Sequence, residues 1–276
     1  MIQGYYLVVI MKIETNYHTH TYLCKHAEGT ASDYVKYAKA HGYKEIAITD
    51  HGPLIDSILA YFYSRRMSMD EYENIYLDDI HQAKQEEGIK VYSGLEIEYF
   101  PEMDDYYKKF LRELDFLILG QHYYWLNDHY HNIYDPQSHE SIKAYEESVV
   151  NGIKTGYFKI VAHPDIYCVK YGVWDDECEK VAQSIIQTAM EHNVLLELNA
   201  NGVRNCIRKK ISYITPDGHL SYGYPKYEFW KLVKKMNAKV IINDDAHFFR
   251  CLNDDATKEV YKLAEELGLN VVSRLE

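Results

Sequence analysis

Residues 16–29 read NYHTHTYLCKHAEG, and the reading given to this stretch decides the reading of the whole chain. His18 and His20 are spaced i,i+2, the side-chain period of a strand, so in an extended segment both rings leave the same face. Two imidazoles on one strand face form a chelating pair, because neutral imidazole is the commonest protein ligand for transition metals. The chain contains fourteen histidines, so local crowding by chance is the competing explanation, and the stretch alone leaves both open. His26 does not share the strand period and needs a separate account.

Outward from this stretch, short β-rich runs alternate with longer amphipathic segments, the pattern of parallel βα units. The expected strands are KIETNYH from Lys12, EIAITD from Glu45, IKVYSGLEIEY from Ile89, FLILGQ from Phe116, YFKIVAH from Tyr157, VLLELNA from Val194 and AKVIIND from Ala238. NVVS at 270–273 is either an eighth strand or a cap. Helices are expected near 32–41, 69–87, 139–154, 175–192, 225–236 and 254–267, with Gly42, Gly88 and Gly268 where C-caps belong. The stretch 202–224, with Arg204, three basic residues at 208–210 and a TPDG turn, is expected to be a long loop, and such loops are often functional.

The chain has 276 residues, 47% of them hydrophobic, enough for one large α/β domain. No repeat or linker divides it. Met11 offers a second start, so residues 1–10 read as an upstream extension and residues 11–276 as a single barrel domain. The short apolar run in MIQGYYLVVI lacks a basic flank and is too short to span a bilayer, so no membrane association is expected. A formal net charge of −12 argues against a surface that grips nucleic acid. Five cysteines without CxxC spacing fit free thiols in a reducing cytoplasm.

In parallel α/β barrels the working groups sit at the carboxyl ends of the strands. Those ends carry His18 and His20, then Asp50 and His51, Glu96 and Glu98, His122, His163, Glu197 and Asn199, and finally Asp244, Asp245 and His247. A single strand-end histidine carries little meaning. Histidines at five separate ends, with Glu96 and an Asp245-x-His247 pair that repeats the i,i+2 logic, make a joint pattern that chance does not readily supply. The remaining histidines fall in expected helices or loops, with His129, His131 and His219 as candidates for a pocket rim.

The ordered set HTH, CKHAEG, ITDHG, GLEIEY, GQHY, VAHPD and NDDAH resembles the PHP (polymerase and histidinol phosphatase) superfamily, and within it the monofunctional histidinol-phosphate phosphatases. The resemblance runs from about Lys12 to Phe248. It implies a distorted (β/α)7 TIM-like barrel and three divalent transition-metal ions, Zn, Fe or Mn. Carried across by motif, His18, His20, Glu96 and Asp245 would hold one ion. A bridging Glu96 with His122 and His163 would hold a second, and His26, His51 and His247 a third. This gives His26 a role that periodicity does not.

The activity so implied is hydrolysis of a small phosphate ester, L-histidinol phosphate, with a metal-bridging hydroxide as nucleophile. Glu96, Asp245 and Asp50 are the expected catalytic groups, Asp50 as a partner of the His51 ring or in proton transfer, with Asp165 read similarly beside His163. Arg204, Lys170 and Arg66, with its neighbour Arg65, are candidates for phosphate capture. The alternatives are a phosphoesterase for another small ester or nucleotide, and a metal-binding barrel without catalysis.

Overall fold

A computed structural model describes residues 13–61 and 65–275; the extension expected at residues 1–10 lies outside the described residues. In chain order the strands are β1 (Thr15–Asn16), β2 (Glu45–Ile48), β3 (Lys90–Ile97), β4 (Phe116–Leu119), β5 (Tyr123–Leu126), β6 (His129–Asn132), β7 (Phe158–Val161), β8 (Leu195–Asn199), β9 (Tyr213–Ile214), β10 (Leu220–Ser221), β11 (Lys239–Asn243) and β12 (Asn270–Val271). Eight of them form one parallel sheet in the order β1-β2-β3-β4-β7-β8-β11-β12, so neighbours in sequence are neighbours in space. Each of the seven expected runs contributes a strand, and residues 270–273 supply the short eighth.

The sheet curls until its first strand meets β11. Beyond β1 the chain stays extended, and His20 N donates to Ala246 O (2.9 Å) while Ala246 N donates to His18 O (3.2 Å). Below this seam two asparagines replace ladder bonds: Tyr17 N donates to Asn243 Oδ1, and Asp244 N to Asn16 Oδ1, both at 2.8 Å. β12 wedges into the amino end of the same gap, where Val272 N bonds to Val240 O and Thr15 Oγ1 to Ser273 O. The HTH segment is thereby fixed on both sides.

Alternation along the strands separates two cores. Tyr17, Ala47, Phe116, Ile118, Ile160, Ala162 and Ile241 fill the barrel interior. Their neighbours Ile46, Ile48, Leu117, Leu119, Leu196, Leu198, Val240 and Ile242 belong to the larger core between sheet and helices. Toward the carboxyl end the inward row turns polar, at Glu96, Glu197, Asn199, Asn243 and Asp245, all buried. The chain therefore spends its inward positions first on an apolar plug and then on the floor of a site.

Helices Ala31–Ala40, Asp104–Glu113, His139–Lys154, Asp176–Glu191, Tyr227–Met236 and Asp255–Leu267 surround the sheet. Thr30, Ser138, Asp175 and Asp254 cap four of them by accepting from a first-turn N–H. Three features depart from the expected layout, the first being helix Asp104–Glu113, which lies where no helix was expected. Residues 123–132 form the hairpin β5/β6. The first third of the expected loop 202–224 is helix Ala200–Lys209, which buries Val203 and Cys206 and is capped by Asn199; tertiary burial there outweighs the low helix propensity of Gly202. Among the described residues no helix is long and apolar enough to cross a membrane.

Candidate metal centre

The polar inward row opens upward into a cavity of about 890 Å³ at the carboxyl face. His26, His51, Glu96, His122, His163, Asp245 and His247 line it, while His18 and His20 are fully buried. Donor atoms converge in three groups: His18, His20 and Glu96; Glu96, His122 and His163; His26, His51 and His247. Glu96 is shared by the first two. Its Oε2 lies 3.2 Å from His18 Nε2 and 3.4 Å from His20 Nε2, and its Oε1 lies 2.9 Å from His163 Nε2. His20 Nε2 is 3.2 Å from Asp245 Oδ1. In the third group His26 Nε2 and His247 Nε2 approach to 3.0 Å, and the rings of His26 and His51 stack 5.3 Å apart. A further grouping, His20, Cys24 and His247, also converges, with a buried thiol.

Local structure aims these groups. His163 (φ 33°) and Asp245 (φ 46°) take left-handed backbone conformations where their strands end, strain of a kind that clusters at functional sites. Gly120, on the inward row of β4, leaves room for the Glu96 carboxylate: a Cβ there would lie 2.2 Å from Glu96 Oε1. His26 Nδ1 donates to Cys24 O (2.6 Å), and His18 Nδ1 and His122 Nδ1 bond to Glu197 Oε1 (2.8 Å) and Glu98 Oε1 (3.2 Å). These bonds leave the Nε2 atoms facing the cavity, as carboxylate and carbonyl partners do for metal-bound imidazoles.

Electrostatics favours a cation at this floor. Glu96, Asp245 and Glu197 are buried carboxylates bonded to imidazoles and amides, and among the described residues no lysine or arginine forms an ion pair with them; buried anions without a positive partner are costly. Burial alone would raise Glu96, but His51, His18 and His163 outweigh it and hold the carboxyl well below its usual range. Asp245 is held down in the same way by His18, His20 and His247. Burial also lowers His18, yet Glu197, Asp245 and Glu96 reverse that and push it well above the ordinary imidazole value. His20 is driven well below it by burial and by His247 and His51, and His26 falls to about 4 for the same reasons. Neutral rings are the ligating form. Asp245 Oδ1 is buried and makes no aligned hydrogen bond, although imidazole nitrogens of His20 and His247 lie 3.2 and 3.3 Å from it, a lone pair that an ion would satisfy. The residues present fit divalent ions.

Several expected roles need correction. Asp50 is fully buried and off the cavity wall; its oxygens accept from Thr21 N (2.7 Å) and Thr21 Oγ1 (2.8 Å), so it anchors the turn that leads to His26. Burial, opposed by the Thr21 bonds, pushes it up to about 7. Arg204 reaches the cavity wall but is tied to Asp254 through Nε (2.6 Å) and Nη2 (3.2 Å), and to Asp244 O and Cys251 O. Arg66 forms a two-pronged bond with Glu98 (2.8 and 2.9 Å), which makes it a support for the His122 partner. Lys170 is exposed and away from the cavity. Asp165 accepts from Lys226 N and Trp230 Nε1, so it braces a helix start and not the His163 ring. His129, His131 and His219 do not line the cavity.

Glu197 is the functional position the sequence underread. Besides His18 it accepts from His163 N (3.1 Å), Asn199 Nδ2 and Asn243 Nδ2 (both 2.8 Å). Its signal was available, an inward acid two residues before an inward asparagine at a strand end. The walls add Tyr134, Tyr224, Phe248, Asn201 and Asn205.

A parallel barrel that gathers buried imidazoles and carboxylates under an open cavity at its carboxyl face has the architecture of a metal-binding hydrolase domain. The chain belongs to the PHP domain family, whose model matches residues 16–201. Asp245 and His247 lie beyond the matched segment and are brought to it by the closure of the barrel. A probable phosphatase of Acetivibrio thermocellus is 27% identical over 266 residues, covering 94% of this chain and 89% of the relative. One of Shewanella frigidimarina is 29% identical over 191 residues, covering 68% of this chain and 64% of its own length. Among solved structures, the fold is similar to a histidinol phosphate phosphatase of Lactococcus lactis complexed with Zn, L-histidinol and phosphate (TM-score 0.69, 18% identity, 94% of this chain and 95% of that one). It is equally similar to a putative histidinol phosphatase of Listeria monocytogenes (TM-score 0.69, 14% identity, 89% and 99%).

Proposed function

We propose that the chain is a metal-dependent phosphomonoesterase for a small phosphate ester. The observation that carries the reading is the set of three converging donor groups at the floor of an open cavity, in a chain whose relatives are named probable phosphatases. In this reading His18, His20, Glu96 and Asp245 hold one ion, Glu96, His122 and His163 a second, and His26, His51 and His247 a third. Bound there, Zn, Fe or Mn would supply Lewis acidity toward a phosphoryl oxygen and a water acidic enough to attack at neutral pH.

The chain's own residues prepare the rest. Glu197 and Glu98 fix the rings of His18 and His122, Gly120 admits the Glu96 carboxylate, and Asp50 holds the turn that carries His26. Tyr134 and Tyr224 form an aromatic wall beside His122 and His163, with ring centroids 6.3 and 6.0 Å away.

L-Histidinol phosphate is the first substrate to test, supported by the likeness of the fold to proteins named for it; its imidazole would meet the tyrosine wall. A second reading, a phosphomonoesterase for another small ester, is favoured by a specific observation, the arginines at the cavity mouth. Phosphate release from L-histidinol phosphate and from a panel of small esters and nucleotides by the metal-loaded protein tests both. No release from any of them would overturn the phosphatase reading.

A further inference from the structure

In the phosphatase reading the floor of the cavity takes one phosphate on its metal ions, and the mouth of the same cavity carries further positive charge. Seven arginines occur in the chain, and four of them, Arg65, Arg204, Arg208 and Arg250, line this one cavity; no lysine among the described residues does. Arginine is the side chain suited to two-pronged recognition of phosphate or carboxylate, whereas lysine acts as a point charge.

Arg204 is consumed by Asp254. The other three arrive from separate segments: the loop after β2, the last turn of helix Ala200–Lys209, and the turn Phe249–Cys251 after β11. Among the described residues none of these three forms an ion pair. Arg208 donates to the amide oxygen of Asn205 (2.8 Å), and Arg250 lies over the Phe248 ring at 4.6 Å. The acid at the mouth outside the Arg204 clamp, Asp255, lies 3.0 Å from Lys258. A chain with a net charge of −12 thus gathers three uncompensated guanidinium groups around one opening.

We infer that this mouth reads a second anionic group, so that the substrate is a small phosphate monoester whose tail ends in a phosphate or a carboxylate, with Arg65, Arg208 and Arg250 as the specificity residues. The inference rests on the phosphatase reading of the floor and decides between its two substrates. The ammonium of L-histidinol phosphate would meet like charge at the mouth, whereas an anionic tail would find unused donors.

The test is calorimetric titration of the metal-loaded full-length protein with trimethylene bisphosphonate, 3-phosphonopropionate and 3-hydroxypropylphosphonate, which share a phosphonate and differ in the tail. At least one anionic tail is expected to bind ~10-fold or more tightly than the hydroxyl tail, about the contribution of one good charge-assisted contact. In R65Q/R208Q/R250Q, shown to be folded by its melting curve, that advantage should shrink to ~2-fold or less. The ranking of the first two ligands tells whether phosphate or carboxylate is preferred. Equal affinity for all three in the parent protein, or an advantage that survives the triple substitution, overturns the inference. Tight binding of an anionic tail with no hydrolysis of any corresponding ester would overturn the phosphatase reading and leave the rim assignment standing.

Discussion

Replacing Gly120 by alanine adds one carbon to the chain and places it inside the Glu96 carboxylate. The new Cβ would lie 2.2 Å from Glu96 Oε1, 2.4 Å from Cγ and 2.6 Å from Cδ. Ordinary contact is about 3.5 Å, so the side chain must retreat by more than ~1 Å. It has nowhere to go without loss, because His18, His51 and His163 stand 3.2, 2.9 and 2.9 Å from its oxygens. Metal-ligand distances tolerate about 0.2 Å, so the displacement should remove Glu96 from both donor groups that share it. A misplacement of this size costs roughly 10²-fold in rate. The fold should survive, since Gly120 is not among the left-handed glycines and overpacking costs about 1–3 kcal/mol. The assay pairs kcat/KM for the best ester with metal content and a melting curve. Wild-type metal content and a rate within about threefold in G120A, set against the expected 10²-fold loss, would refute the reasoning.

Three further substitutions separate roles. Glu197→Gln weakens the partner of His18 Nδ1 and should lower metal affinity about 10- to 100-fold in a chelator competition; unchanged affinity would mean that Glu197 orients nothing. Arg66→Leu strands the buried Glu98 carboxylate and should destabilise the protein by about 3–5 kcal/mol in urea, an effect that a phosphate-binding arginine at a solvent-exposed rim would not produce. Asp175→Ala removes the cap on Cys178 N (2.9 Å) and should cost about 1 kcal/mol of stability without changing kcat/KM, since Asp175 is absent from the cavity wall.

Much of the barrel could be read from the alternation of apolar runs with amphipathic segments, because parallel strands buried on both faces and helices with one apolar stripe have different periods. The strand-end histidines were legible for the same reason: a period of two puts His18 with His20, and Asp245 with His247, on inward faces. His26 was not accessible to periodicity, since its position depends on how the 21–26 turn folds back under Asp50. The arginines failed differently. Arg204 lies near a strand end, where phosphate capture is expected, but its fate is set by Asp254, fifty positions away in sequence, and by two carbonyls that become neighbours only when the barrel closes. Arg66 is claimed by Glu98 in the same non-local way. The hairpin at residues 123–132 escaped notice because its second strand, His129–Asn132, alternates polar groups with one tyrosine and buries little.

The central claim is that three groups of side chains on this barrel face each hold an ion. The most direct measurement is elemental analysis of the purified protein after reconstitution with Zn, Fe or Mn and removal of free metal. The account predicts close to three ions per chain in the parent protein and a loss of about two in E96A, because Glu96 serves two of the three groups. A parent protein that retains no more than one ion, or an E96A variant that retains as many as the parent, would contradict it.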